Sequence, residues 1–149
     1  KMPIDQICND NCALLLWATS PKLDKAIALI AAWGFEFKTI QHVWIKQQKN
    51  GTDIVNNGLS WYTRPASEFL LVALRGNLMK LKGDQKDGAC KVPQVVFAQR
   101  REHSRKPDEI YALIDQFFDK KLASKRIELF SRTTREGWTS WGNEVGKFK

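Results

Sequence analysis

Ala13-Leu14-Leu15-Leu16-Trp17-Ala18-Thr19-Ser20-Pro21 is the stretch on which the fold turns. A short, almost unbroken apolar run such as residues 13–19 is the pattern of a strand buried on both faces of a parallel sheet. It is far short of the ~20 residues that a membrane-spanning helix needs. Ser20 and Pro21 then form a helix start, a capping hydroxyl followed by proline at the first helical position. Leu23, Ala26, Ile27, Ile30 and Ala31 recur at helical spacing, and Gly34 stops the helix. Residues 35–47 (FEFKTIQHVWIKQ) read as one or two strands, so the chain opens as a βαβ unit.

Outward from this unit, residues 46–59 are polar and contain Gly51, Asn56, Asn57 and Gly58, the composition of a long mobile loop. Loops of that length in compact domains are often functional. Residues 68–75 (EFLLVALR) form a second strong strand ended by Gly76, and a basic loop over 77–93 leads to a weaker strand at 94–100. Pro107 starts a helix in which Ile110, Leu113, Ile114, Phe117 and Phe118 fall on one face. Residues 125–130 (KRIELF) are a third strand and 139–145 a short closing segment. No internal repeat is present. Alternating strands and helices predict an α/β domain with a mostly parallel sheet, whose ligands bind just beyond the carboxyl ends of the strands.

With 149 residues, 43% hydrophobic and 27% charged, the chain has the make-up of one soluble globular domain over 1–149. A net charge of +8 and a pI near 9.5 favour a polyanionic partner. Nucleic acid comes first, an acidic membrane surface second and a small anionic cofactor third. The first seven residues do not read as a secretory signal, and they show neither a flexible leader nor a helix cap. Cys8, Cys12 and Cys90 are odd in number and form no paired metal pattern, so reduced, buried thiols and no metal are expected. His42 and His103, the only histidines, lie beside no nucleophile motif. The phosphate loops GxGxxG and GxxxxGK[ST] are absent, which argues against an ordinary dinucleotide enzyme or NTPase.

Four clusters of residues carry chemistry. In residues 100–108 (RREHSRKPD), Arg100, Arg101, Arg105 and Lys106 lie within seven residues, just before a helix start whose amides already create positive potential. This is either an anion site, for phosphate or a cofactor carboxylate, or a solvated loop. Glu128 sits inside an apolar strand, where an unpaired carboxylate is costly; it accepts from ribose hydroxyls or pairs with Arg132 or Lys125. Trp138 and Trp141 flank small polar residues and are core or ligand platform, while Asn143 and Glu144, after Gly142, can recognise hydroxyl or amino groups. In Trp61-Tyr62-Thr63-Arg64 the rings can stack on a base and the guanidinium grip a phosphate, or the segment is an apolar plug with a surface arginine.

Seven motifs in order resemble the MT-A70-like adenine-N6 methyltransferases, the family typified by the catalytic subunit of the eukaryotic messenger-RNA writer, with bacterial and phage relatives. They are Leu15-Leu16-Trp17-Ala18-Thr19, Ala32-Trp33-Gly34-Phe35, Val43-Trp44-Ile45-Lys46, Glu68-Phe69-Leu70-Leu71-Val72 with Arg75-Gly76, His103-Ser104-Arg105-Lys106-Pro107-Asp108-Glu109, Ile127-Glu128-Leu129-Phe130-Ser131-Arg132, and Trp138 with Trp141-Gly142-Asn143-Glu144. The resemblance implies a Rossmann-like fold with permuted (β-class) motif order and methyl transfer from S-adenosylmethionine to the N6 amine of adenine in nucleic acid, DNA favoured over RNA. It places Glu128, Arg132, Asn143 and Glu144 at the cofactor ribose and Lys106 beside the methionine end. The loop with Arg100, Arg101, His103, Ser104 and Arg105 resembles the one that closes over the target nucleotide in that family, and Tyr62 and Arg64 are further candidates for substrate binding.

The family's hallmark Asp-Pro-Pro-Trp, expected upstream of Met2-Pro3-Ile4, is absent. The resemblance therefore implies an amino-terminally truncated, partial domain, inactive alone, whose catalytic residues precede Lys1. The alternative is a non-catalytic nucleic-acid-binding partner subunit. Pro65 and Ser67 also depart from the family pattern. A homo- or heterodimer is compatible with this reading, as is a cytoplasmic (prokaryotic or phage-type) or nuclear location; secretion is not.

Overall fold

The computed structural model describes residues 2–56, 59–82 and 90–148. Four strands form the main sheet: β1 (Cys12–Ala18), β2 (Glu36–Gln47), β3 (Ser67–Arg75) and β4 (Val95–Gln99), in the order β1-β3-β2-β4. The expectation of a mostly parallel sheet fails at its centre. β3 runs antiparallel to both β1 and β2, and only β2 and β4 pair in parallel. The reason is that burial on both faces, which an apolar run reports, is a property of central strands in either direction. β1, β2 and β4 nevertheless point the same way, so their carboxyl ends share one edge of the sheet.

Helices cover both faces. α2 (Leu23–Ala32) sets Ala26 and Ile30 against Ala18, Leu71 and Ala73. On the other face, α4 (Glu109–Phe117) sets Ile110 and Ile114 against Leu70, Leu74 and Val96. Along β3, alternate residues therefore feed two different cores, as a period of two demands. Ser20 is not a cap: Ser20–Lys22 forms a single 3-10 turn without a side-chain capping bond before α2 begins. Likewise α4 starts at Glu109 rather than Pro107, which is buried just before it. Gly34 ends α2 in the left-handed region, φ 75°.

Residues 35–47 make one strand, β2, with two register shifts against β3 that leave Lys38 and Gln41 unpaired. Two one-residue bulges cancel, so the side-chain alternation is restored by His42. A short helix that the sequence reading missed, α1 (Ile4–Ile7), buries Ile4 in the α2-side core. Another four-residue helix, α3 (Met79–Lys82), lies in the basic loop. Residues 83–89 of that loop lie outside the described residues. The thiols are not buried as expected: Cys8 and Cys12 are half-buried and Cys90 is exposed.

The last strands, β5 (Ile127–Leu129) and β6 (Thr139–Trp141), pair in parallel as a separate two-stranded sheet. Leu129 packs on the α2-side core and Trp138 on the α4-side core, so this small sheet lies beside the first. Gly142 makes its return possible. A Cβ there would stand 2.9 Å from the backbone N and O of Ser131.

Candidate functional site

Trp17, Trp44, Lys46 and Glu68 meet on the α4 side of the sheet, near the common carboxyl edge. Trp44 and Glu68 are direct partners across the β2–β3 pair, and Lys46 lies two residues beyond Trp44. Trp17 faces Leu70, two residues from Glu68, so the register itself puts all four side chains on one face. The indoles of Trp17 and Trp44 meet edge to face, centroids 6.2 Å apart, and Trp44 Nε1 donates to the Ala98 carbonyl at 2.9 Å.

Glu68 is the hub. Only 8% exposed, it takes Lys46 Nζ on one oxygen at 2.6 Å and Lys106 Nζ on the other. Each ammonium also lies over an indole, Lys46 5.3 Å from the Trp44 centroid and Lys106 5.4 Å from that of Trp17. Burial pushes the Glu68 carboxyl up, but the hydrogen bonds and charges of the two lysines outweigh it and hold the group below its ordinary value. Beside this cluster, Trp17, Ala18, Thr19, Lys22, Glu68, Ser104 and Lys106 line a cavity of about 310 Å³. That is within the usual size of small-ligand sites.

The charged loop before α4 is internally braced. Arg101 donates to Asp108 at 2.6 Å and to the Lys106 carbonyl at 2.8 Å, and Arg135 takes the other Asp108 oxygen at 2.7 Å. Burial raises the Asp108 carboxyl, and the two guanidiniums outweigh this and hold it low. Arg105 pairs with Glu102 at 3.2 Å, and His103 and Ser104 share a hydrogen bond of 3.1 Å. Ser104 has φ 62°, a strained conformation of the kind that concentrates in functional loops. Of the four cations read as one anion site, three therefore already have carboxylate partners, and the fourth, Arg100, turns to a different cavity, lined by residues 48–50 and 55–56.

Glu128 makes neither ion pair open to it in the sequence reading. Its Oε1 accepts from the Tyr111 hydroxyl at 2.7 Å, while Oε2 is buried without a partner. Burial, then the neighbouring Glu128, pushes the Tyr111 phenol up, so it stays a donor. Arg135 stacks on the same ring, 3.6 Å from its centroid. Arg132 pairs instead with Glu144 at 2.7 Å and donates to the His103 carbonyl at 2.8 Å. The structure thus joins the 103–106, 131–132 and 144 segments into one region. Asn143 is exposed within it. Trp138 belongs to the core against Tyr111, whereas Trp141 is half exposed on Phe130. Trp61 and Tyr62 are no plug: they are 98% and 95% exposed, and Arg64 is exposed beside them. None of the three is brought into contact with the Lys106 cluster.

Sequence reasoning misses Glu68 and Lys46 as site residues. The signal that finds Glu68 is the one that singles out Glu128, a carboxylate set against an apolar strand. Lys46, the last cation of an apolar strand, has no such signal until the register is known.

The structure is thus a mixed α/β sheet with a polar and aromatic pocket at the carboxyl ends of β1, β2 and β4. The chain belongs to the MT-A70 family, whose sequence model matches residues 1–144. It is 34% identical over 145 residues to the type II methyltransferase M.MunI of Mycoplasma sp, covering 97% of this chain and 55% of that protein. It is 35% identical over 122 residues to the N6-methyladenosine RNA methyltransferase MTA1 of Cryphonectria parasitica, covering 81% of this chain and 32% of that protein. It is 26% identical over 141 residues to the human N(6)-adenosine-methyltransferase catalytic subunit METTL3, covering 93% and 23%. The chain thus spans about half the length of the first of these relatives and a third or less of the other two. Among the described residues, no helix is long and apolar enough to cross a membrane.

Proposed function

We propose that this chain forms the cofactor side and the target-gripping loops of an S-adenosylmethionine-dependent adenine-N6 methyltransferase acting on nucleic acid, with DNA favoured over RNA. The observation that carries the reading is the cavity walled by Trp17, Glu68 and Lys106 at the carboxyl edge of the sheet. S-adenosylmethionine, when bound, would supply the methyl group from its sulfonium. The residues present fit it. Lys106, with Lys22 on the same wall, would hold the methionine carboxylate. The buried, unpartnered Oε2 of Glu128 is an acceptor suited to a ribose hydroxyl, and Tyr111 fixes the other oxygen of that carboxylate. Arg132, Asn143 and Glu144 would complete the ribose side. Glu68 orients Lys106, and Trp17 shields the ammonium from water on one side.

On the substrate side, Arg100, Arg101, His103, Ser104 and Arg105 would hold the loop over the target nucleotide. Within it Arg101 braces the backbone from inside. Tyr62 and Arg64, fully on the surface, would stack on a base and hold a phosphate. Extruding an adenine for chemistry on its amine needs an acceptor for that amine and a stacking surface. No Asp-Pro-Pro-Trp occurs among the 149 residues, so those groups would come from outside them and the chain by itself would not turn over. That same absence favours the second reading, a non-catalytic nucleic-acid-binding partner in a homo- or heterodimer. Location in the cytoplasm or in a nucleus goes with either.

The test uses the full-length protein with labelled cofactor and paired DNA and RNA substrates. Methyl transfer to adenine N6, greater on DNA, is expected. Cofactor binding without transfer would leave the partner-subunit reading. No thermal shift with S-adenosylhomocysteine would overturn the cofactor site itself.

A further inference from the structure

Gln48, Lys49, Asn50, Val55, Asn56 and Arg100 enclose a second cavity, of about 340 Å³. It lies at the carboxyl ends of β2 and β4, because Gln48 follows the last residue of β2 and Arg100 the last residue of β4. The loop around it is tied down. Gln48 N–H donates to the Asp53 carbonyl at 2.8 Å, Val55 N–H to that of Lys46 at 2.8 Å and Arg100 N–H to that of Gln47 at 2.9 Å. The Gln47 amide donates to the Thr52 carbonyl at 2.9 Å, and Val55 is buried.

Among the described residues, the lining has two cations and three carboxamides but no carboxylate. Among the described residues, neither Lys49 nor Arg100 has an ion-pair partner, in contrast to Arg101, Arg105 and Lys106. Two uncompensated cations held together over a formed concavity keep their fields for an incoming anion. Carboxamides add what a simple anion does not need: paired donors and acceptors that match base edges, adenine above all.

We propose that this cavity binds the nucleic-acid strand next to the target adenine, with Lys49 and Arg100 on phosphates and Gln48, Asn50 and Asn56 against base edges. The inference rests on the nucleic-acid substrate proposed above. Sheet order supplies the spacing. The cofactor-side cavity lies over β1 and β3 and this one over β2 and β4, two strand steps away, or ~10 Å. That is roughly three nucleotides at ~3.4 Å each along a duplex strand, so a strand held here can present a base beside the cofactor-side cavity.

The experiment measures binding of fluorescent DNA and RNA oligonucleotides by the full-length protein across a salt series, with S-adenosylhomocysteine affinity as a folding control. The double variant Lys49→Ala/Arg100→Ala is expected to bind about tenfold more weakly and to lose about 2 from the slope of log K against log salt, since each phosphate contact contributes ~0.9. Lys49→Arg/Arg100→Lys should restore the slope. Asn50→Ala/Asn56→Ala should flatten the preference for bases flanking the adenine. If the wild type binds nucleic acid and the alanine pair matches its affinity and slope, this site is overturned and the proposed function stands; a cavity that serves a protein partner would give that result. If the wild type binds neither DNA nor RNA, the substrate reading falls and the site with it. Should the double variant fail to fold, Lys49→Glu on the exposed loop carries the same two arms.

Discussion

Lys106 and Arg100 belong to one charged run and stand six residues apart, yet the fold gives them opposite electrostatic situations. Lys106 shares the sheltered Glu68 with Lys46 and lies over an indole. Arg100 forms no ion pair among the described residues and is exposed on the cavity that Lys49 also lines. The difference teaches that a basic run in sequence is not a basic patch in space. Neutralised cations position one another, and those left over are free to recruit a polyanion. Removing a partner should therefore hurt the first group, and removing a cation from the second should leave stability alone.

The largest effect is expected from Glu68→Gln, which leaves two neighbouring ammoniums without their shared counter-charge. Breaking a buried pair from one side costs ~3–5 kcal/mol. With each lysine side chain still about a fifth exposed, we expect the lower end, about 3 kcal/mol by urea unfolding, and weaker cofactor binding. A loss under about 0.5 kcal/mol would erase the contrast, because that is the range of ordinary surface substitutions. Lys106→Ala should weaken S-adenosylhomocysteine binding by about tenfold in calorimetry, the worth of a charge-assisted hydrogen bond. Unchanged affinity would mean that the lysine serves the fold and not the cofactor.

A smaller effect separates burial from charge pairing. His42 is fully buried, its Nδ1–H donates to the Pro93 carbonyl at 2.9 Å, and its Nε2 has no partner. Burial lowers its proton affinity below the ordinary 6.5, against the opposing pull of the Pro93 carbonyl. Above pH 6.5 the ring is neutral in both folded and unfolded chains. As pH falls below 6.5 the unfolded chain takes up the proton first, so stability drops, by at most ~1.4 kcal/mol per pH unit. His42→Gln should flatten the melting temperature between pH 6.5 and 5; an unaltered slope would assign it elsewhere. The smallest effect is Lys49→Ala, which should leave stability within about 0.5 kcal/mol.

The elements were largely readable because β1, α2, β3 and α4 each carry a strong apolar period. Strand direction was not, since EFLLVALR has the same composition whichever way it runs. In the candidate site, a residue type that stands out against its surroundings was legible as unusual: Glu128, a carboxylate in an apolar strand, is held by Tyr111 on one oxygen and has the other buried without a partner. The site was illegible where meaning depends on register: Lys46 and Glu68 are 22 positions apart and become neighbours only through the antiparallel pairing that sets Trp44 opposite Glu68. The cations of residues 100–106 are legible as a count but their partners are not: Asp108, Glu102 and Glu68 pair with three of them.

The central, reversed position of β3 also bears on how the chain is made. Among the described residues β1 hydrogen-bonds in the main sheet only to β3, so this pairing of Cys12–Ala18 forms only once Arg75 has been made. About 57 residues separate the two ends, which at ~5–20 residues per second is a wait of roughly 3 to 11 s. During that interval the apolar CALLLWA lacks its β3 partner, and α2, folding locally behind it, offers a surface on which Leu14, Leu16 and Ala18 can shelter.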